Sequence, residues 1–325
     1  MRYVFGPVPS RRLGNSLGVD LLAFKACTFD CVYCQLGRTT EQTGERRRFV
    51  PPDDVVAEVR QALDSGLAVD YVTLSGSGEP TLSLDLGGIV RAIKAFSHVP
   101  VAVLTNGSLL GRPDVRAALA GADLVVPSLD AGTQAAFERV NRPLGGTDVA
   151  EVARGIREFS LGFRGQVWLE VLAVAGLNDS PEEACSIVRL IGGARLDRIQ
   201  LNTVARAPAE PWAGPVPEER LKELAAILEG LAPVEVIGQY AAHNLPQDSE
   251  PAGGSASARI LATLARRPCG AAELAASLGL HPALAAKLLD SLCQAGAIER
   301  LAIGTSPQYR VRTPAAAGGE DKEKP

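Results

Sequence analysis

The sequence predicts an α/β fold built from repeated strand–helix units, joined by a polar linker to a small second domain. Three observations carry that reading. Short apolar runs alternate with amphipathic helical segments across residues 17–238, the pattern of βα units with parallel strands. The stretch HNLPQDSEPAGGSAS within residues 239–257 is polar, bears proline and glycine and has no period, as linkers do. Residues 258–313 then resume with three helical segments and a two-armed ribbon.

Candidate strands occupy 17–23, 70–75, 100–104, 123–127, 167–173 and 197–203, with a shorter one at 234–238. Helical periodicity falls between them near 52–65, 85–97, 112–120, 132–139 with 147–160, 181–192 and 217–231. Local chemistry justifies several starts. Pro51-Pro52 before Asp53 opens the first helix, since proline suits the first turn and an acid suits the positive end of the helix dipole. Ser180 before Pro181-Glu182-Glu183 reads as an N-cap followed by acids. Right-handed crossovers place such helices outside the strands. Six units can form either an open doubly wound sheet or a partial barrel, and periodicity alone does not choose.

In the second domain, helices at 258–266, 271–278 and 282–295 precede a ribbon over 298–312 that turns at Gly304-Thr305-Ser306-Pro307. That order resembles a winged helix-turn-helix. Seven basic residues (Arg259, Arg266, Arg267, Lys287, Arg300, Arg310, Arg312) outweigh Glu273, Asp290 and Glu299, leaving a net charge of +4. The bias suits nucleic acid. The third helix is mainly alanine and leucine, with Lys287 its one certain cation, so the arginine and asparagine that read base edges are missing. The expectation is weak, salt-sensitive nucleic-acid binding or protein docking. Cys269 and Cys293 read as small buried hydrophobes. The expected organisation is a core at 1–240, a linker at 241–257, the small domain at 258–313 and a disordered tail at 314–325.

Composition narrows the class. The 325 residues are 46% hydrophobic and 22% charged, with a net charge of −4, which suits a soluble chain with a real core and no global pull toward nucleic acid. Met1-Arg2-Tyr3-Val4-Phe5-Gly6-Pro7 lacks the apolar stretch of a signal peptide, and no apolar run is long enough to span a bilayer. The expectation is a cytoplasmic protein without membrane contact. Three of the six cysteines crowd into residues 27–34, while Cys185, Cys269 and Cys293 are scattered. A secreted disulfide framework spreads its cysteines through a smaller chain.

Cys27, Cys31 and Cys34 form a C-x-x-x-C-x-x-C trio directly after the first candidate strand. Structural zinc wants four closed ligands, and the next cysteine is Cys185. A buried helix face could show the same spacing, but Asp30 and Gln35 sit badly on one. Three thiolates around an iron–sulfur cube leave one iron open, and an open coordination site is what substrate binding at a metal needs.

The loop CTFDCVYCQ, with Tyr33 before the third cysteine, resembles the signature of the radical S-adenosylmethionine (radical SAM) superfamily across roughly residues 1–240. The resemblance implies a partial (β/α)6 barrel with a [4Fe–4S] cluster on Cys27, Cys31 and Cys34. It implies that S-adenosylmethionine chelates the open iron through its amino and carboxylate groups. An electron from the cluster then cleaves the sulfonium C–S bond, and a 5′-deoxyadenosyl radical abstracts hydrogen from substrate. Such cofactors carry the hard chemistry while the protein positions and shields it.

Further residues fall where parallel α/β folds gather ligands, at the carboxyl ends of the strands. Ser75-Gly76-Ser77-Gly78-Glu79 ends the second candidate strand. Small residues there admit close approach of a ligand, and Glu79 can accept from an ammonium group. The segment is similar to the family's Gly-Gly-Glu motif, with Ser77 replacing its first glycine. Asn106 and the Ser128-Leu129-Asp130 segment end the next two strands. Asn106-Gly107 is also a common turn pair, and Asp130 or Thr133 could cap a helix. The resemblance implies ribose contacts for Ser128 and Asp130. Glu170 interrupts the apolar run VWLEVLAV, and Asn202 interrupts RIQLNTV. Polar groups in such strands need partners or a wet lumen, so both are expected to face cofactor or substrate. Asp20 poses the same question. Arg46-Arg47-Arg48 is by default a solvated run, with grip on an anionic substrate as the alternative.

The opening VFGPVPSRRLGNSLGVD and the loop CTFDCVYCQLGRTT resemble a group of Fe–S oxidoreductases allied to archaeal wyosine synthetases, which remodel a tRNA guanine. Those enzymes carry a second cluster on cysteines near the N-terminus, and this chain has none before Cys27. The substrate class therefore stays open among RNA, protein and small molecule. Alternative readings are an activase that installs a glycyl radical in a partner, and a winged-helix Fe–S regulator. Family membership further implies a flavodoxin or ferredoxin reductant.

Overall fold

The alternating apolar runs fold as one sheet wrapped by helices. The computed structural model describes residues 1–10, 12–22, 25–237, 256–278, 280, 282–303 and 306–312. The chain starts with β1 (Val4–Ser10) and β2 (Gly14–Val19), an antiparallel hairpin in which Val4 faces Val19 and Ser10 faces Gly14. Two-residue strands β3 (Ala26–Cys27) and β4 (Glu41–Gln42) pair in parallel around the cysteine loop. The βα repeat follows as α1 (Pro52–Asp64), β5 (Tyr71–Leu74), α2 (Leu86–Phe96), β6 (Val101–Thr105), α3 (Pro113–Leu119) and β7 (Leu124–Pro127). It continues through α4 (Gln134–Val140), α5 (Val149–Gly162), β8 (Gln166–Ala173), α6 (Pro181–Ile191), β9 (Arg198–Thr203), α7 (Glu218–Leu228) and β10 (Val234–Val236).

The sheet runs β1-β2-β5-β6-β7-β8-β9-β10, parallel from β2 onward. Among the described residues its outer strands do not pair with each other, which makes it an incomplete barrel. The first strand was expected at 17–23 and runs at 14–19, so the cysteine loop does not follow it directly. β1 was not expected: Gly6, Pro7 and Pro9 break the strand pattern, yet an edge strand tolerates proline.

Two apolar faces result. Val103, Val125, Val167, Leu169 and Val171 join the main core beneath the helices. Their alternates Ala102, Leu124, Val126 and Trp168 pack with Leu13 in a separate cluster inside the barrel. The period of two along each strand produces this division. The helix caps also follow their residues: Ser180 Oγ accepts from Glu183 N (3.2 Å), and Thr133 Oγ1 accepts from Ala136 N (3.3 Å).

The C-terminal unit comprises α8 (Ala256–Leu264), β11 (Cys269–Gly270), α9 (Ala271–Leu278), α10 (Pro282–Gln294), β12 (Ile298–Ile303) and β13 (Ser306–Val311). Its antiparallel sheet is ordered β11-β13-β12. Ile260, Leu264, Cys269, Leu274, Leu289 and Tyr309 form its core. Cys269 is buried as expected, whereas Cys293 is only partly so. α8 begins at Ala256, inside the expected linker. The rest of that linker, the turn residues Gly304 and Thr305 and the tail at 314–325 lie outside the described residues.

This unit leans on the barrel through specific bonds. Gln308 accepts from Ala207 N (3.2 Å) and donates to Ala205 O (3.1 Å). Arg206 donates to Glu273 at 2.7 Å, and Arg266 donates to Arg2 O (2.9 Å) while covering the Phe5 ring. Arg259 bonds Leu278 O, Arg267 bonds Glu273 and Arg310 bonds Glu299. Much of the positive charge read from the sequence is thus engaged within the molecule. Among the described residues no helix is long and apolar enough to cross a membrane.

Candidate active site

The cysteine loop is fixed from several sides. Cys27 lies on β3, and Thr43 N donates to its carbonyl (2.9 Å). Tight turns follow, with Cys34 N on Cys31 O and Gly37 N on Cys34 O, both at 3.1 Å. The buried Lys25 ammonium holds Gly37 O at 2.6 Å. Residues 140–144 run alongside the loop: Asp30 N donates to Asn141 O (3.0 Å), Val32 N to Val140 O (2.9 Å), and Leu144 N to Thr28 O (2.8 Å). Glu210 N donates to Val32 O (2.9 Å) from the far side.

All three cysteines stay partly exposed as residues, and two of their thiols are shifted by their surroundings. Burial pushes the Cys27 thiol up to about 12, with Glu79 adding to the effect. Burial lifts Cys31 well above the ordinary thiol range, with Asp130, Cys27 and Cys34 contributing. Such thiols ionise when a cation compensates them, which is how metal centres stabilise thiolates. Among the described residues no three His, Cys, Asp or Glu side chains gather around one point as a single metal ion requires. Zinc needs its sulfurs about 2.3 Å from one ion, whereas the ligands of a cluster bind different irons. The trio fits the cluster.

The loop after β5 pins this assembly. Glu79 N donates to Ala26 O (3.1 Å). A Cβ at Gly78 would lie 1.7 Å from Ala26 O, and one at Gly76, with φ +138°, would lie 2.6 Å from the Asp20 carboxyl carbon. Both glycines therefore make room for the protein itself, where the sequence reading had them make room for a ligand. Ser77 donates to the buried Asp20 through its hydroxyl and through its backbone N–H (3.1 Å). Burial raises the Asp20 carboxyl against those bonds. Glu79, 2% exposed, is likewise engaged within the chain. Its Oε1 accepts from Thr81 N (3.0 Å), Thr81 Oγ1 (2.6 Å) and Thr105 Oγ1 (2.6 Å), and its Oε2 from Asn106 N (2.7 Å). Four donors hold this buried carboxylate, although burial still raises it.

Asn106 is more than a turn residue. Its Nδ2 donates to Thr28 Oγ1 (2.7 Å) and lies 3.6 Å from Cys27 Sγ. Asp130, which sequence chemistry also allowed as a helix cap, is buried at the barrel mouth, and Thr133 caps α4 instead. Asp130 accepts from Tyr33 Oη, from Asn141 Nδ2 (2.6 Å) and from Leu172 N (2.9 Å). Burial raises its carboxyl to about 6 despite those bonds. Tyr33 is lifted well above its ordinary range by burial and the neighbouring Asp130.

Deeper in the lumen, Glu170 meets Arg12 (2.5 Å), Asn202 Nδ2 (2.6 Å) and Ser128 Oγ (3.5 Å). Asn202 is 2% exposed, and its Oδ1 has no partner within the protein. The strands thus bring Ser128, Glu170 and Asn202 together as one polar layer. Sequence reasoning missed Arg12 and Asn141. Arg12 lies on the hairpin turn before Leu13, and Asn141 caps the end of α4. Only the fold reveals what such loop residues reach. The basic run is frame: Arg46 bonds Thr81 O, Ser83 O and Asp114, while Arg47 pairs with Glu41 and Arg48 with Asp85.

Comparison with known proteins agrees with this geometry. The family model for the radical SAM superfamily matches residues 21–189. The chain belongs to the radical SAM superfamily. Radical SAM proteins are enzymes that use a [4Fe–4S] cluster and S-adenosylmethionine, and these are the cofactors of this chain. The UPF0026 protein MJ1312 of Methanocaldococcus jannaschii is 32% identical over 245 residues, covering 74% of this chain and 76% of that protein. GTPase Obg of Brachyspira hyodysenteriae is 33% identical over 312 residues, covering 95% of this chain. The chain spans only 45% of that relative's length. The phosphate-binding pattern GxxxxGK[ST] does not occur in this sequence. Among solved structures, a radical SAM methyltransferase from Sphaerobacter thermophilus superposes with a TM-score of 0.52 at 21% identity. It covers 68% of this chain and 65% of that one, and the likeness is one of fold.

Proposed function

We propose that this radical SAM enzyme holds its cluster on Cys27, Cys31 and Cys34. S-adenosylmethionine would lie over the polar groups at the carboxyl ends of β5 to β9. When bound, the cluster and S-adenosylmethionine supply a 5′-deoxyadenosyl radical for hydrogen abstraction from substrate. The chain's own residues position and shield that chemistry. Glu79 ties β6 to the turn after β5, and Gly78 lets that turn close on Ala26 beside Cys27. Asp130 orients Tyr33 and Asn141 against the second cysteine. Asn202 Oδ1, buried and unpartnered, and the partly exposed Glu170 are among the acceptors available to a ligand, as is the buried Gln200 Oε1 two residues before Asn202. With Glu79 saturated by four donors, the backbone of residues 76–78 is the better candidate to meet the ligand's amino group.

The observation that carries this reading is the C-x-x-x-C-x-x-C loop, fixed against residues 140–144 and lying within the span that the family model matches. A low-potential flavodoxin or ferredoxin is the proposed reductant. The order helix, strand, two helices and ribbon supports a winged-helix reading of the C-terminal unit. Its bonds to the barrel through Arg266, Glu273 and Gln308 favour docking there over nucleic-acid binding. The test is anaerobic reconstitution of the wild type and Cys31→Ala. The wild type should take up iron and sulfide and release 5′-deoxyadenosine on reduction with S-adenosylmethionine. Wild-type iron retention by Cys31→Ala would overturn the ligand assignment.

A further inference from the structure

Two side-chain amides reach two different cysteine sulfurs. Asn141 Nδ2 lies 3.4 Å from Cys31 Sγ, and Asn106 Nδ2 lies 3.6 Å from Cys27 Sγ. Both distances suit N–H···S hydrogen bonds. The orientation of the Asn141 amide is dictated by its surroundings. The same nitrogen lies 2.6 Å from Asp130 Oδ2, where an amide oxygen would face a carboxylate with no proton to share. One N–H therefore serves Asp130, and the second is left for Cys31 Sγ at 3.4 Å, with Tyr33 Oη at 3.5 Å beside it.

The backbone holds this amide in place. Asn141 N donates to Phe137 O (2.8 Å), and Asn141 O accepts from Asp30 N (3.0 Å) within the cysteine loop. Arg142, immediately after it, has a φ of +43° that is uncommon outside glycine. Its guanidinium is fastened to Glu210 at 2.6 Å. Asn141 is 3% exposed, so water does not compete for its N–H groups.

We propose that Asn141 is a positioning residue that sets the reduction potential of the cluster by donating a hydrogen bond to Cys31, with Asn106 doing the same at Cys27. The proposal rests on the cysteine assignment above. Reduction adds negative charge that spreads onto the ligating sulfurs, and an N–H dipole aimed at a sulfur stabilises that charge. Buried Glu79 and Asp130 stand close enough to oppose it. The two amides offset those carboxylates and keep the cluster within reach of a biological reductant. Removing either donor makes reduction harder.

The test compares reconstituted wild type, Asn141→Leu and Asn106→Leu by electron paramagnetic resonance during an anaerobic redox titration. Leucine keeps the shape of asparagine without the donor. The expected result for Asn141→Leu is wild-type iron and sulfide with a more negative midpoint. The reduced-to-oxidised ratio at a fixed potential should fall up to about tenfold, or about 59 mV for one electron. An unchanged midpoint with the cluster intact overturns the proposal. Should Asn141→Leu fail to retain the cluster, the wild type decides. With 15N in its asparagine amides, its reduced cluster should show 15N hyperfine coupling, and absence of that coupling overturns the proposal. A wild type that takes up no iron overturns the cysteine assignment and this inference together.

Discussion

The two ends of the barrel lumen are built from the same alternation along the same strands, yet their chemistry is opposite. On β7 and beyond it, Leu124 and Val126 give way to Ser128 and Asp130; on β8, Trp168 gives way to Glu170. On β6, Ala102 is followed four residues later by Asn106. The lower layer packs around Leu13 and closes the barrel floor. The upper layer presents buried carboxylates and amides to the cysteine loop. A residue's parity along the strand decides which face it joins, and its distance along the strand decides whether it stabilises or binds. The lower layer should therefore answer to mutation in stability alone, and the upper layer in cluster retention as well.

The largest effect that sharpens this contrast is expected at Gly78. A methyl group there meets the Ala26 carbonyl oxygen at 1.7 Å and its carbon at 2.7 Å, and backbone cannot swing aside as a side chain can. Gly78→Ala should cost upwards of about 4 kcal/mol and displace Cys27, so that anaerobic reconstitution yields little cluster. Wild-type iron content in a folded Gly78→Ala protein would break the link between the β5 turn and the site. Leu13→Ala, at 3% exposure in the lower layer, should cost about 3 kcal/mol, near the middle of the range for buried leucines. Urea titration should register that loss, while iron per folded chain stays at the wild-type level. Loss of cluster without loss of stability would erase the distinction between the two layers.

How much of this was legible in the sequence depends on whether the signal was local. The parallel strands were, because runs such as YVTL and LVVP are short, apolar and bounded by polar turns. The cysteine trio was also legible from its spacing, Asp130 from its place at the end of a strand, and Glu170 and Asn202 as polar groups set in apolar runs. Gly78 stood out as a small residue, but the sequence could not say whether a ligand or Ala26 required it. Asn141 and Arg12 gave no local signal. Each lies on a connection and becomes informative only when the fold brings it to Cys31 or Glu170, which are 110 and 158 positions away in the chain. The docking of the C-terminal unit was hidden for the same reason. Arg266 looked like free positive charge until Arg2 O, 264 positions away in the chain, was placed beside it.

The smallest effect expected is a pH dependence that belongs to the upper layer. Asp130 has a carboxyl raised by burial from 3.8 to about 6, with Glu170 adding to the rise and the bonds from Tyr33 and Asn141 opposing it. An acid raised in the folded state favours folding while it stays protonated. As pH climbs past 3.8, the unfolded chain ionises first and the native state loses ground, until both are ionised above about 6. The shift corresponds to roughly 2–3 kcal/mol lost across that window. The amide introduced by Asp130→Asn cannot ionise, so the stability of the wild-type apoprotein relative to that variant should fall by that amount between about pH 4 and 6. Urea unfolding of the two proteins at several pH values measures the difference. A difference that rises with pH would mean that Tyr33 and Asn141 bind the carboxylate more strongly than burial opposes it. The upper layer would then be a prepared anion site, and its contrast with the apolar floor would rest on hydrogen bonding and not on the cost of burial.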